Sequence, residues 1–219
     1  GLRSAIQEVV GTGTMLSDAR TNLLVPAQDI ANGEPVFFKS RKAQEDVLDD
    51  APLWVVMAAT ASAPTYFPPM RYANRVLIDG GLANNNPALC VLVEARKLWP
   101  GERVALLSLG TGPGVGPKNA KGSGSWGLAD WAPRLVTFFM DGSSDTADYL
   151  LRHSLQGDDL FLRFRPPSSG LSMDASGRKA LRKLQDVARD HLMEVGPGLA
   201  WLVSQVDREG AEGGPERAA

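Results

Sequence analysis

The six residues Val76-Leu77-Ile78-Asp79-Gly80-Gly81 carry most of the information about the fold. The apolar residues predict a short buried strand, and the acid and two glycines predict a tight turn at its end. Glycine adopts backbone conformations that are closed to other residues, so we expect the turn to hold Asp79 in a defined, exposed position. Ligands of open α/β sheets bind at the carboxyl ends of strands, which makes Asp79 a candidate catalytic residue. A turn without a catalytic role is the alternative, because Asp-Gly is common in turns.

Strand and helix patterns alternate on either side of this stretch. Short apolar or alternating runs predict strands at 23–27, 35–38, 76–78, 104–109 and 160–164. Apolar residues at helical spacing predict helices over 53–61, 87–98, 145–155 and 180–192. We expect Asn86 to cap the helix that opens at Pro87, and strand 104–109 to be covered on both faces. This order predicts an α/β layered fold, with one domain over 1–208 and a disordered tail at 209–219.

The composition is that of a soluble globular protein. The chain has 219 residues, 43% of them hydrophobic, and a formal charge of -2, without the basic stripe that nucleic-acid binding requires. No run approaches the roughly 20 apolar residues that cross a bilayer. One cysteine and two histidines make a disulfide framework or a zinc site improbable. We therefore expect no structural metal. We also expect a location in the cytoplasm or at the periphery of a membrane, unless a targeting signal precedes these residues.

Four linked motifs narrow the interpretation further. They are ATASAPTYFPP at 59–69, IDGG at 78–81, NNPA at 85–88 and LSLGTG at 107–112. In order and spacing they resemble the patatin-like phospholipase family, and a weaker likeness continues through FMDG at 139–142, the strand at 160–164 and MDA at 173–175.

The resemblance implies a three-layer α/β/α fold and a lipid acyl hydrolase with a serine and aspartate dyad. Asp79 matches the aspartate that accepts the serine proton, and Gly80 and Gly81 complete its motif. The implied substrate is an acyl ester of a lipid, presented at a membrane surface, and the implied reaction uses neither metal nor organic cofactor.

The sequence departs from the family at the nucleophile. It contains neither the Gly-x-Ser-x-Gly elbow nor the glycine-rich oxyanion loop, and its first residue is Gly1. The nearest sequence, SGSWG at 123–127, has serine in place of the first glycine and follows no strand, so we interpret Ser125 as a loop residue. We expect the nucleophile upstream of Gly1, a fold incomplete at its N-terminus, and little activity from these residues alone.

Two other functions fit some of the same residues. An upstream serine followed by Asp79 and His153 would reproduce the chain order of an α/β-hydrolase triad, although His153 lies in a leucine-rich helical pattern instead of a loop. The absent elbow also permits a noncatalytic lipid-binding or interaction fragment. The apolar run 66–70 could receive acyl chains, touch a membrane, or belong to the core.

Two further patterns suggest ligand sites that we consider weaker. GTGPG at 110–114 lacks the third glycine of a dinucleotide loop, and Pro113 opposes a helix start. Asp141, Asp145 and Asp148 could be a metal cluster, but we expect Asp145 and Asp148 to occupy a helix start, where acids favour the helix dipole.

Overall fold

The computed structural model describes residues 1–113, 123–171 and 175–212. Contacts divide the chain into two compact units, one made of 1–87 with 142–144 and the other of the described parts of 88–141 and 145–219. Each unit combines helices with a sheet, and the predicted α/β class is confirmed. The single domain over 1–208 stays a prediction.

The first unit is built on a four-stranded sheet. Its strands are β1 (Leu24–Asp29), β2 (Glu34–Lys39), β3 (Met70–Tyr72) and β4 (Arg75–Asp79), in the order β2-β1-β4-β3. Its helices are α1 (Leu2–Val10), α2 (Ser40–Glu45), α3 (Leu53–Thr60) and α4 (Gly81–Asn84), with a 3-10 turn at Leu16–Asp18. The structure confirms the strands predicted at 23–27, 35–38 and 76–78, whereas sequence patterns did not predict β3 or α4.

Every strand pair in this sheet is antiparallel. Asp79 ends β4, as expected, and the sheet that contains β4 is antiparallel. The short connections explain these strand directions, because β1 with β2 and β3 with β4 form hairpins that need no crossover helix. Gly33, with φ 74°, makes the first of these turns.

Asp29 joins the first hairpin to β4. Its buried carboxylate accepts hydrogen bonds from the Ala31 N–H (2.9 Å), the Asn32 side chain (2.8 Å) and the Val76 N–H (3.1 Å). Burial alone raises the pKa of the Asp29 carboxyl, but these bonds and the Arg75 charge hold that pKa below its ordinary value.

Helix α3 closes one face of the sheet. It is apolar on nearly every side, which confirms the buried helix predicted over 53–61, and it packs between α1 and strands β1 and β4. Side chains from the helix, the sheet and the preceding turns share one core: Leu16, Ala27, Phe38, Ala43, Ala51, Val56, Ala59 and Leu77.

The second unit contains a parallel two-stranded sheet. Its elements are α5 (Ala88–Leu98), β5 (Ala105–Leu109), a 3-10 turn at Ser123–Ser125, α6 (Leu128–Ser154), β6 (Leu160–Phe164) and α7 (Arg178–Glu212). Strands β5 and β6 pair from Ala105 with Leu160 to Leu109 with Phe164. The nearly buried Asp159 binds the Arg96 guanidinium and the Val104 N–H, so it ties α5 to the start of this sheet.

The sequence predicted that strand β5 is covered on both faces, and this prediction is wrong. Leu106 and Ser108 are buried, whereas Leu107 and Leu109 are exposed, so burial alternates along the strand. The apolar sequence therefore reflects one packed face and one open face in this structure. Apolar side chains alone cannot show whether a second layer is present.

Three sequence predictions fall partly on residues outside the described ranges. Residues 114–122 of the glycine-rich run, 173–174 of the MDA motif and 213–219 of the tail lie outside them. Helix α7 extends to Glu212, so it overlaps the first residues of the predicted tail. Within the described residues, no helix is both long enough and apolar enough to cross a membrane.

Candidate active site

Asp79 is the last residue of β4, and its backbone is fixed from two sides. It lies opposite Ala27 in the pairing of β4 with β1, and its N–H donates to the Ser62 carbonyl at 3.0 Å. Ser62 is buried, and its own hydroxyl donates to the Ala58 carbonyl at 2.6 Å. The end of α3 therefore positions the residue that bears the candidate catalytic carboxylate.

The Asp79 carboxylate is partly buried and makes one hydrogen bond. Its Oδ1 accepts the Gly81 N–H at 2.6 Å, at the first residue of α4, and the described residues offer Oδ2 no partner. Burial raises the pKa of this carboxyl, and the opposing hydrogen bond from Gly81 only partly compensates. A raised pKa makes the carboxylate a stronger base than a solvated aspartate, while Oδ2 stays available to a ligand.

Position 80 requires glycine because neighbouring backbone atoms leave no room for a Cβ, although the backbone conformation of Gly80 is ordinary. Its φ of -67° suits any residue, which corrects the expectation that this turn needs conformations closed to other side chains. A Cβ at Gly80 would stand 2.3 Å from the Pro26 carbonyl oxygen and 3.0 Å from the Ala27 nitrogen. Gly80 therefore lets the turn after Asp79 lie directly against β1.

The loop between α3 and β3 leads from Ser62 to an exposed aromatic pair. Thr65 has φ 74°, a strained conformation for a β-branched residue, and Tyr66 and Phe67 follow it with exposed side chains. The two aromatic side chains therefore do not belong to the core, whereas Met70, at the other end of the run 66–70, packs against it.

Asn86 is buried, and its side-chain amide donates to the Ser144 carbonyl at 3.4 Å. The helix that follows begins at Ala88, one residue later than Pro87, where the sequence predicted it to open. The contact with Ser144 was not visible to sequence analysis, because 58 residues separate the two partners.

His153 lies within α6 on an exposed part of the helix. Its Nδ1 is 2.7 Å from the Tyr149 carbonyl, and its ring stacks on the Tyr149 ring at 4.2 Å between centroids. Contacts one turn away favour a local helical role over a triad role.

The aspartates of the suggested metal cluster have partners of other kinds. Asp145 pairs with Arg165, and Asp148 binds Arg152 at 3.0 Å. Both lie in the second half of α6, which corrects the expectation of a helix start. Among the described residues, no group of three His, Cys, Asp or Glu side chains could hold a metal ion.

Gly110 and Gly112, the two described glycines directly after β5, have structural roles. The Gly110 N–H donates to the Phe164 carbonyl at 2.8 Å, and Gly112 has φ 89° with the Pro166 carbonyl 2.6 Å from where a Cβ would stand. They fasten the chain leaving β5 to the end of β6. Ser125, the nearest approach to an elbow serine, lies in the 3-10 turn Ser123–Ser125, as the loop interpretation expected.

Comparison with known proteins gives consistent matches. The family model described as Patatin-like phospholipase matches residues 2–92. Patatin-like protein 3 of Arabidopsis thaliana is 29% identical over 232 residues, which cover 92% of this chain and 53% of the relative. A cGAMP-activated phospholipase of Pseudomonas aeruginosa is 32% identical over 165 residues, covering 74% of this chain and 49% of the relative. The chain spans about half the length of these curated relatives.

Replacing Gly80 with alanine should lower the free energy of unfolding by about 3 kcal/mol, because the new methyl group meets backbone atoms of β1 that cannot rotate away. Gly142→Ala is the matched control, since Gly142 lies inside α6 with nothing within 4 Å of its added Cβ. That change should stabilise by roughly 0.5–1 kcal/mol. Urea denaturation measures both, and equal effects would show that Gly80 is not sterically restricted.

Asp79→Asn should raise the melting temperature at pH 7. Because burial raises the folded-state pKa of Asp79, ionisation of this carboxyl costs stability as the pH rises through that pKa. The advantage of the variant should disappear below pH 3.8, the ordinary aspartate value. Asp29→Asn is the control with the opposite sign, since its pKa is held low: it should lower the melting temperature at pH 7 and lose this effect in acid. A lower melting temperature for Asp79→Asn at pH 7 would contradict the burial argument.

Proposed function

The chain belongs to the patatin-like phospholipase family, and from this premise we propose that it supplies the general base of a lipid acyl hydrolase. The single observation that carries the proposal is the Asp79 carboxylate at the end of β4, where Oδ1 accepts the Gly81 N–H and Oδ2 has no partner among the described residues. The substrate class is a carboxylic ester of a lipid.

In the proposed reaction, Asp79 acts on a serine that lies beyond these 219 residues. Asp79 Oδ2 accepts the proton of the serine hydroxyl while the serine oxygen attacks the ester carbonyl, and the alcohol leaves with a proton returned from Asp79. Asp79 then deprotonates a water molecule, whose attack on the acyl-enzyme releases the fatty acid and restores the serine. The Gly81 N–H fixes Oδ1 throughout, so that Oδ2 keeps one direction.

The loop 66–70 is the proposed site for the acyl chain near this base. Ser62, whose carbonyl receives the Asp79 N–H, begins the segment that leads to Tyr66 and Phe67. Both aromatic side chains are exposed within the same compact unit as Asp79. A strained Thr65 immediately before them is what functional loops often contain.

A noncatalytic lipid-binding role is the second candidate, and one observation favours it: the 219 residues contain no Gly-x-Ser-x-Gly elbow. Intact Asp79 and Gly80 favour the catalytic role, since a binding fragment needs neither a base with a raised pKa nor a turn pressed against β1. The Ser-Asp-His triad is less favoured, because His153 makes local contacts within α6.

Hydrolysis of a chromogenic short-chain ester tests the dyad. We expect the 219-residue chain alone to be nearly inactive, and a form extended by the upstream coding sequence of its gene to be active. In the extended form, Asp79→Asn should lower kcat/KM by about 10³–10⁴-fold through loss of the base, while His153→Ala should leave it within about twofold.

Each other outcome removes one part of the proposal. Activity of the short chain that requires Asp79 would place the nucleophile within these residues, with Ser125 the first to examine. Loss of activity in His153→Ala would support the triad instead of the dyad. Lipid binding without turnover by the extended form would support the noncatalytic role.

Phe67→Ser in the extended form should separate lipid contact from folding. We expect about tenfold slower hydrolysis of phospholipid vesicles, from the lost apolar contact, with hydrolysis of a soluble ester nearly unchanged. Leu48→Ser, which removes another exposed apolar side chain from the same unit, is the control and should change neither rate. Equal losses on both substrates would indicate damage to the fold and remove the acyl-chain role of the loop.

A further inference from the structure

The later part of α7 packs on β6, whereas its first turns are exposed. The His191 ring meets the Phe164 ring edge to face at 4.7 Å, and a Cβ at Gly198 would lie 3.5 Å from the Leu162 side chain. Residues 181–186 and 188–190 are exposed. An isolated helix of about 12–15 residues is only marginally stable in water, so these turns gain stability from any surface that they bind.

Three exposed leucines lie along one side of the first half of α7. Leu181, Leu184 and Leu192 are 51%, 42% and 47% exposed. Their spacing places them within about 80° of one another around the helix axis, with the exposed Ala188 between them. We call these three residues the α7 leucine face.

Four cations without a counterion accompany the α7 leucine face. They are Arg178, Lys179, Arg182 and Lys183, which are all exposed. Residues 175–185 contain no acid, and none of the four cations has an ion pair among the described residues. Cations in the first turns of a helix oppose the helix dipole, so the stability of α7 does not account for them. Their charge is available to an anionic partner.

The basic and acidic side chains occupy different sides of this helix. One flank, about 60–100° around the axis from Leu181, carries three arginines: Arg178, Arg182 and Arg189. The far side, about 140–220° from Leu181, carries the acids: Asp186, Asp190 and Glu194. Asp186 is 3.5 Å from Arg189, whereas Arg178 and Arg182 lie a full turn or more before the first acid. Leucines bordered by arginines, with the acids turned away, are typical of a helix that lies on an anionic lipid surface.

The arrangement of charge and leucine distinguishes between possible partners. Two copies joined antiparallel through the α7 leucine face would bring one arginine flank against the other, and like charges so placed repel. A nucleic acid would bind the arginines and leave the leucines in water. An anionic bilayer has phosphate groups for the arginines and an apolar interior for the leucines, so it complements both.

We propose that the first half of α7 binds the surface of a bilayer that contains anionic phospholipids, with the helix in the plane of the interface. The α7 leucine face enters the acyl boundary, and the guanidinium groups of Arg178 and Arg182 bind lipid phosphate. Within the described residues, no helix has the length and apolarity to cross the bilayer. The proposal extends the proposed lipid hydrolase function to the surface on which the substrate lies, and its test requires no turnover.

Vesicles of ether-linked phosphatidylcholine with a minority of ether-linked phosphatidylglycerol provide the probe, because their ether bonds resist hydrolysis. We expect the purified chain to co-sediment with them, and to bind vesicles of phosphatidylcholine alone at least tenfold more weakly. The double change Arg178→Gln and Arg182→Gln should weaken binding to the anionic vesicles about 30-fold, because each basic residue near such a surface contributes about fivefold. The control is Arg20→Gln with Lys42→Gln, which removes equal charge from exposed positions of the other unit and should leave binding nearly unchanged.

The leucines have a separate test. Leu181→Gln with Leu184→Gln keeps the charge and the helix propensity, and should weaken binding about tenfold through loss of apolar burial. Val47→Gln with Leu48→Gln, at exposed apolar positions of the other unit, should leave binding unchanged. Far-UV circular dichroism of each variant checks that the fold is retained.

Trypsin gives a second readout of the bound surface. The enzyme cleaves after exposed arginine and lysine, so the anionic vesicles should slow cleavage within 178–183 severalfold. Cleavage after the exposed Arg20 should keep its rate. Mass spectrometry of the fragments measures both rates.

Three results would overturn the proposal. They are equal or absent binding to vesicles with and without phosphatidylglycerol, equal weakening in the arginine variant and its control, and unchanged cleavage within 178–183. Concentration-dependent dimers in sedimentation velocity, lost in the leucine variant and without vesicle binding, would identify a second copy as the occupant instead. Hydrolysis of a soluble ester is unaffected by any of these results, so this test and that of the dyad fail separately.

Discussion

The candidate site depends on the close contact between the Pro26 carbonyl in β1 and Gly80 in the turn after β4. This contact allows Asp79 to complete the strand pairing with Ala27 and then turn immediately into α4. Any side chain at Gly80 would push the turn away from the sheet, and the carboxylate would move with it. A steric requirement of the backbone thus sets the position of the residue proposed for the chemistry.

Two aspartates of the same sheet show how local donors decide the state of a buried acid. Asp29 is fully buried, yet three hydrogen-bond donors stabilise its charge, and its pKa is lowered. Among the described residues, Asp79 has one donor, the Gly81 N–H, and burial has the larger effect, so the pKa of its carboxyl is raised. The first arrangement suits a structural link and the second suits a base, because a base gains reactivity when its charge is incompletely satisfied.

Apolar surface occurs in both compact units and has a different chemical character in each. In the first unit it is the aromatic pair Tyr66 and Phe67, carried on a strained loop that begins at a residue bonded to Asp79. In the second it lies on α6, where Leu128 and Phe139 are exposed. The loop presents one pair of side chains, whereas the helix presents apolar residues over several turns.

The sequence by itself determined the α/β class, most of the strands and helices, and the family, because periodic burial and ordered glycine and asparagine motifs are local properties of the chain. It also singled out Asp79 as a candidate, although its catalytic role stays a prediction. Only the tertiary structure decided that the sheet around Asp79 is antiparallel and that the side chains of 66–67 are exposed. It also showed that neighbouring backbone atoms, and not an unusual φ, require glycine at position 80, and that one face of β5 is exposed in the described structure. Each of these depends on contacts between residues distant in sequence, such as Pro26 with Gly80. The residues next to either partner in the sequence do not indicate such a contact, so local patterns cannot predict it.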